Sequence, residues 1–273
     1  MVSVLTGAAG REEPAGSGFE LGFIDGGGVQ RRAPLAACAE VRFEDGMPVR
    51  QFRWSRGLGH FPGWWWAATT GRHVGYESWL ERDHVRALDF EREITGIASQ
   101  PFWLYWTGKR GRRRHAPDYF ARRADGTGVV IDVRADDRIE AADAEAFAVT
   151  AAACAWLGWE FRRAGEIDPV PGSNVRWLAR YRHPRCAGRA EVTRRLREAF
   201  AGPAPLLAGA AEAGDPLETL PPLFHMMWRQ ELVADLARER LGPATRVRTA
   251  GHGEVITGER GKPAAAAGPA GGW

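Results

Sequence analysis

The sequence predicts a mixed α/β domain over residues 35–167, in which a mixed sheet is flanked by helices, followed over residues 168–250 by a smaller, mainly helical unit. Three observations lead there. Short runs bounded by turn residues read as strands over 102–106, 115–122 and 129–134; apolar residues recur with helical spacing over 76–90, and 139–157 is an Ala-rich helical run; and glycine-containing dipeptides punctuate the intervals between these runs. A chain of 273 residues is long enough for one such domain with an appended unit and a sizeable core.

The elements follow in order. Residues 1–34 read as a flexible tail, because Gly26, Gly27 and Gly28 in succession weaken any regular element. The runs 40–44 and 49–54 around Asp45-Gly46, and 64–69 and 73–76 around Thr70-Gly71, read as two hairpins. Tyr76, Leu80, Ala87 and Leu88 mark one face of a helix over 76–90, Gly96 marks the turn after it, and 102–106 is an aromatic strand. Strands over 115–122 and 129–134 flank Asp125-Gly126-Thr127-Gly128. An Ala-rich helix over 139–157 ends at Gly158, a C-cap, and 159–163 is the next strand. Asp168-Pro169-Val170-Pro171-Gly172 reads as a linker. Beyond it, helices over 189–200, 205–213 and 220–230, with extended pieces at 232–236 and 245–249, match a winged-helix-like pattern. Residues 251–273 repeat Ala, Gly and Pro and read as a disordered tail.

Composition excludes several classes. No apolar run approaches the ~18 residues that a membrane span needs, and no leader with a basic flank and an apolar stretch opens the chain, so no membrane partner and a cytoplasmic location are expected. Cys38, Cys154 and Cys186 are too widely spaced for a zinc knuckle, and a reducing compartment keeps them as thiols. The seven histidines form no H-E-x-x-H, neither lysine lies in a phosphate-binding G-K-[ST], and no G-x-S-x-G is present. Of 37 basic residues only Lys109 and Lys262 are lysine, and the net charge of +3 by itself says little about partners. The clustering says more: Lys109, Arg110, Arg112, Arg113 and Arg114 fall within six positions and are expected to contact DNA phosphates, the alternative being a solvated loop. Trp64, Trp65 and Trp66, with Trp103, Tyr105 and Trp106, are expected to pack in the core or on a strand, the alternative being to stack on unpaired bases.

The residues that carry chemistry are Pro117-Asp118 and, fourteen positions after Asp118, Asp132-Val133-Arg134. Strand alternation puts Asp132 and Arg134 on one face and Val129, Ile131 and Val133 on the other. Should Asp118 project to the Asp132 side, two acids converge beside a cation, an arrangement that holds a divalent metal against a phosphodiester. A two-residue loop at Asp125-Gly126 places Asp118 on the wrong face; a three-residue loop over 125–127 sets Asp118 across from Arg134 and Phe120 across from Asp132, so an odd loop or a bulge is expected. Glu81, on the preceding helix, is the natural third carboxylate, with Glu77 one turn earlier as the fallback and His84 near it. The alternative is that Ser78 and Glu81 close the helix N-terminus as a capping box.

These residues resemble the PD-(D/E)xK restriction-endonuclease-like superfamily. More narrowly, Thr70-Gly71-Arg72, Glu77-Ser78-Trp79-Leu80-Glu81, Leu88-Asp89-Phe90-Glu91, Ser99-Gln100-Pro101-Phe102 and Arg114-His115-Ala116-Pro117-Asp118-Tyr119-Phe120 look like the TnsA-like endonuclease subunit of heteromeric transposases, over about residues 40–165. The resemblance is looser over 220–228. It implies a restriction-endonuclease-like fold and a Mg²⁺- or Mn²⁺-dependent nuclease that cuts double-stranded DNA at the 5′ ends of a mobile element. Its implied partners are a DDE-type transposase subunit and an ATPase regulator. Carried onto this chain, the catalytic glutamate is Glu81, the aspartate Asp118, and the last pair Asp132 and Arg134, with Glu81, Asp118 and Asp132 around the metal. Arg134 stands where the family pattern has lysine. A guanidinium stays protonated and offers only charge and donors to the phosphate, so the alternative is an inactive nuclease fold kept for DNA binding and assembly. Lys109 as a displaced catalytic lysine is a further reading.

Overall fold

The structure, a computed structural model, describes residues 18–50, 61–108 and 111–251. Along the chain come strands β1 (Glu20–Ile24) and β2 (Gln30–Pro34), the hairpin β3 (Gly63–Ala67) and β4 (Arg72–Tyr76), and helix α1 (Trp79–Phe90). Then follow β5 (Ile94–Ser99), β6 (Trp103–Gly108), β7 (Gly111–His115), β8 (Tyr119–Arg123), β9 (Gly128–Val133), α2 (Ala141–Leu157) and β10 (Glu160–Ala164). The C-terminal part holds α3 (Pro169–Leu178), α4 (Ala190–Ala199), β11 (Ala204–Pro205), α5 (Leu206–Ala213), α6 (Pro216–Trp228), β12 (Leu232–Val233) and β13 (Arg246–Thr249). The fold is thus mixed α/β, with several sheets and, among the described residues, six α-helices.

One sheet, in the order β10-β9-β8-β5, forms the middle layer. Val129, Val130 and Ile131 of β9 are consecutive and all buried, as a strand covered on both faces requires. Tyr119, Ala121, Val129 and Ile131 point to one side, where they meet Val85 and Leu88 of α1 and a core that continues through Leu196, Phe200, Leu223, Met226 and Trp228 of the C-terminal helices. Phe120 and Val130 point to the other side, against Cys154 and Leu157 of α2 and against Leu21, Phe23 and Leu104 from a second sheet, in the order β2-β1-β6-β7. β10 lies parallel to β9; every other pairing in these two sheets is antiparallel. The C-terminal helices therefore share apolar core with α1, and the chain segment near 168 is not a break in that core.

Several expectations are corrected. Residues 20–34 are not tail: they form β1 and β2, and the glycine run is the turn between them, with Gly28 at φ +79° and the Asp25 carboxylate accepting from the backbone N–H groups of Gly27 and Val29. Residues 43–45 form a 3₁₀ turn rather than half of a hairpin, and the remainder of that expected hairpin, 51–54, lies outside the described residues. Gly96 sits inside β5 at a bulge. The segment at 168–172 starts a helix: the Asp168 carboxylate accepts from Val170 N–H and Pro169 takes the first turn, where its missing donor costs nothing. Most residues of the expected tails, 1–17 and 252–273, lie outside the described residues.

Candidate functional site

The β8–β9 hairpin sets the site. Its register pairs Tyr119 with Ile131 and Phe120 with Val130. Arg123 N–H donates to Thr127 O at 3.0 Å, enclosing a three-residue loop of Ala124, Asp125 and Gly126, in which Gly126 takes φ +88°. The loop is odd, as expected, yet starts one residue earlier than expected. Carried one step beyond the last pair, this register sets Asp118 across from Asp132 rather than from Arg134, and parity leaves the two acids on one side of the sheet.

Asp118 sits at the entry to β8, after Pro117, and its Oδ2 accepts from Val133 N–H at 2.7 Å. Burial, followed by the charges of Glu81 and Asp132, pushes its carboxyl well above the usual carboxylate range; the Val133 donor and the Arg50 guanidinium pull the other way. Asp132 is buried, and both of its oxygens accept from His115 Nε2, at 2.9 and 3.0 Å. Glu81 stands in the first turn of α1. Its Oε2 accepts from Glu77 N–H at 2.7 Å and its Oε1 from the Ser78 hydroxyl at 2.9 Å, while Ser78 Oγ accepts from Glu81 N–H. Ser78 thus caps α1, but the return contacts of Glu81 go to the Glu77 N–H and the Ser78 hydroxyl rather than to the Ser78 N–H of a full capping box, and Glu81 still acts on Asp118 through its charge. Burial raises the Glu81 carboxyl, helped by the charge of Glu77 and opposed by the two donors and Arg50.

Tyr119 ties the helix to the strand: its hydroxyl, fully buried, lies 3.2 Å from both Gly75 O and Glu81 O. Glu77, the fallback ligand, is held by Arg50 in a two-pronged ion pair with distances of 2.6 and 3.3 Å. His84 faces away, its Nε2 at 2.7 Å from Gly165 O. Arg134 also turns from the acids. It is half-exposed and pairs with Asp143 at 3.0 Å near the N-terminus of α2, its Nε donating to Arg138 O. The cation that acts on both Glu81 and Asp118 is therefore Arg50, from a run that the sequence reads only as one arm of a hairpin.

The basic cluster does not act as one loop. Lys109 and Arg110 lie outside the described residues, whereas Arg112, Arg113 and Arg114 belong to β7. Arg112 and Arg114 point outward, and Arg113 turns to the opposite face, 4.0 Å from Glu145 of α2. Of the aromatics singled out, Trp65 and Trp106 are core residues, while Trp103 and Tyr105 are half-buried beneath guanidinium groups.

Glu81, Asp118 and Asp132 supply hard oxygen donors, the type that Mg²⁺ and Mn²⁺ favour, and burial, followed by like charge nearby, raises the Glu81 and Asp118 carboxyls despite Arg50. Among the described residues, no three His, Cys, Asp or Glu side chains are gathered closely enough to hold a metal as they stand. Sequence reasoning missed Arg50 and His115; the second was legible, since it stands three residues before Asp118. No protein-family model matches the chain, and no curated protein is found to be similar to it.

Proposed function

We propose that this chain is a metal-dependent DNA endonuclease, the TnsA-like subunit of a heteromeric transposase, which cuts the 5′ ends of a mobile element by water attack on a phosphodiester. The observation that supports this reading best is Asp118: a buried carboxylate at a strand entry, on the same side of the sheet as Asp132, its proton held unusually tightly by burial first and then by the charges of Glu81 and Asp132 on two other elements. Structural carboxylates are paired with cations; a cluster of acids in excess of its cations marks a site that works with a bound cation.

In this reading Glu81, Asp118 and Asp132 would hold Mg²⁺ or Mn²⁺ once drawn closer together than they stand here, and the ion would supply Lewis-acid polarisation of the phosphate and a more acidic water. His115 fixes the orientation of Asp132 through its paired contacts, and Tyr119 fixes the start of α1 and with it Glu81. Arg50 limits the repulsion among the acids. Arg134, freed from Asp143, offers charge to the phosphate; its ion pair with Asp143 is the observation that favours the second reading, a catalytically inactive DNA-binding and assembly protein. A DDE-type transposase subunit and an ATPase regulator are the proposed partners.

The test is plasmid nicking with Mg²⁺ or Mn²⁺ in the presence of the partner transposase, wild type against Asp118→Ala. Nicking that disappears in the variant supports the nuclease. Equal nicking by both overturns it, and no nicking by either, with DNA binding intact, leaves the assembly protein.

A further inference from the structure

The outer face of the sheet β2-β1-β6-β7 is built from alternate residues of four strands. The register places Tyr105 beside Arg114 and Thr107 beside Arg112, while Gly22 of β1 stands between Trp103 and Arg32. Two guanidinium groups lie on two rings: Arg114 over Trp103, 4.2 Å from the ring centre, and Arg32 over Tyr105, at 4.1 Å. Gly22 makes the second pairing possible, since a Cβ there would come within 2.9 Å of the Tyr105 ring, which leans across β1 towards Arg32. The opposite face of the same strands, Leu21, Ala33, Leu104 and Trp106, is buried core.

Charge on the outer face is one-sided. Arg32 is neutralised by Glu20, at 2.5 Å, but Arg112 and Arg114 are exposed and, among the described residues, pair with no carboxylate. A guanidinium laid flat on a ring keeps its N–H edge free and loses little freedom when that edge meets a phosphate. The rings are thereby occupied as supports, which removes them as surfaces for bases. β7 also leads directly to the acids, since its last residue, His115, holds Asp132.

We infer that this face is a phosphate track for duplex DNA, in which Arg112 and Arg114 contact successive backbone phosphates, Trp103 positions Arg114, and Arg113 takes no part. The inference deepens the nuclease reading and rests on it for the identity of the polyanion, but it concerns binding alone. It is tested with the full chain by fluorescence anisotropy on a fluorescein-labelled duplex of mixed sequence across a NaCl series. Each lost phosphate contact lowers the slope of log affinity against log salt by about 0.9, so Arg112→Gln with Arg114→Gln reduces it by roughly 2. Arg113→Gln leaves the slope unchanged. Trp103→Leu and Arg114→Lys keep the charge and the slope but weaken binding several-fold, because the fork no longer lies on the ring; thermal melts confirm that each variant is folded. The inference is overturned by an unchanged slope in the double variant, by an equal loss in Arg113→Gln, or by polyglutamate competing as well as unlabelled duplex. The slopes are measured in EDTA, so they are independent of metal and of cutting. A failure of the nicking assay therefore bears on the nuclease, and a failure of the slopes bears on the track.

Discussion

Replacing Asp118 by asparagine should stabilise the protein while removing its proposed activity. The side-chain amide of Asp118→Asn keeps a carbonyl oxygen to accept from Val133 N–H, the bond now made at 2.7 Å, so the hydrogen bond survives. What disappears is a charge that two acids, Glu81 and Asp132, oppose and one guanidinium, Arg50, supports. Unit charges about 7 Å apart at an effective dielectric of about 20 interact by roughly 2 kcal/mol. One repulsion in excess, partly screened, therefore gives a gain on the order of 1–2 kcal/mol, or a rise in Tm of about 2–6 °C for a chain of this size. The sign depends on pH. The folded carboxyl sits above its unfolded value, so below the ordinary carboxylate range both states are protonated and the wild type bears no penalty. As pH rises, the unfolded chain ionises first and the wild type loses stability until the folded group also ionises. The gap between variant and wild type is then smallest below the ordinary carboxylate range and widens as pH rises through and beyond it. Calorimetry in EDTA across that range measures it, and added Mg²⁺ should raise the Tm of the wild type but not of Asp118→Asn. A variant less stable than wild type at pH 8, or a gap that widens towards acid, refutes the electrostatic reasoning about Asp118.

Three other outcomes follow from contacts near the site and in the core. Asp89→Ala removes a buried acceptor that takes Trp65 Nε1–H at 2.9 Å, Ala68 N–H at 3.0 Å and Thr69 N–H at 2.8 Å. Three orphaned donors cost together about 3–6 kcal/mol, read as a large fall in the urea midpoint. Tyr119→Phe deletes the hydroxyl that touches Gly75 O and Glu81 O, at a cost of about 1 kcal/mol in denaturant titration. Nicking should fall more than that loss implies, because the start of α1 is no longer tied to β8. Gly209→Ala puts a Cβ 2.4 Å from the Phe200 ring, and the overpacking, about 1–3 kcal/mol, should exceed the ~1 kcal/mol gained in helix propensity, so thermal melting shifts down.

How far the sequence could be read is clearest at the hairpin. Parity alone required an odd loop, and the three-residue loop over Ala124–Gly126 is odd, so Asp118 and Asp132 lie on one side although the register differs by one step. Local signals with a single physical meaning were legible in the same way: Gly158 in the left-handed region at the end of α2, Ser78 capping α1, and β9 as a strand. Signals whose meaning depends on a distant partner were not. Gly26–Gly28 looks like tail until β1 is seen to pair with β6, some eighty residues on. The arginine run looks like a loop until β7 is seen to pair with β6, where alternation sends Arg113 one way and its neighbours the other. Pro169 and Pro171 suggest a linker, although the first turn of a helix tolerates proline. Arg134 was assigned by its spacing from Asp132, and no spacing rule can see that Asp143 takes it first.

The conflict over Glu81 dissolves once charge and geometry are separated. A capping box and a metal site are usually alternatives, because both need the same carboxylate oxygens. Here the cap satisfies the hydrogen bonding of Glu81 without neutralising it: its partners are an N–H and a hydroxyl, neither of which carries charge, and the nearby charge of Glu77 works against it. The carboxyl is consequently parked in a defined position with its repulsion towards Asp118 intact. A cation arriving between them would exchange two neutral hydrogen bonds, each worth about 1 kcal/mol net, for relief of a like-charge interaction of larger size. In the nuclease reading the cap would hold the third acid near Asp118 at only a modest cost in cation affinity. Ser78→Ala should release one of the two carboxylate oxygens, the other staying on Glu77 N–H, weaken α1 by about 1 kcal/mol, and lower rather than raise the Mg²⁺ needed for nicking.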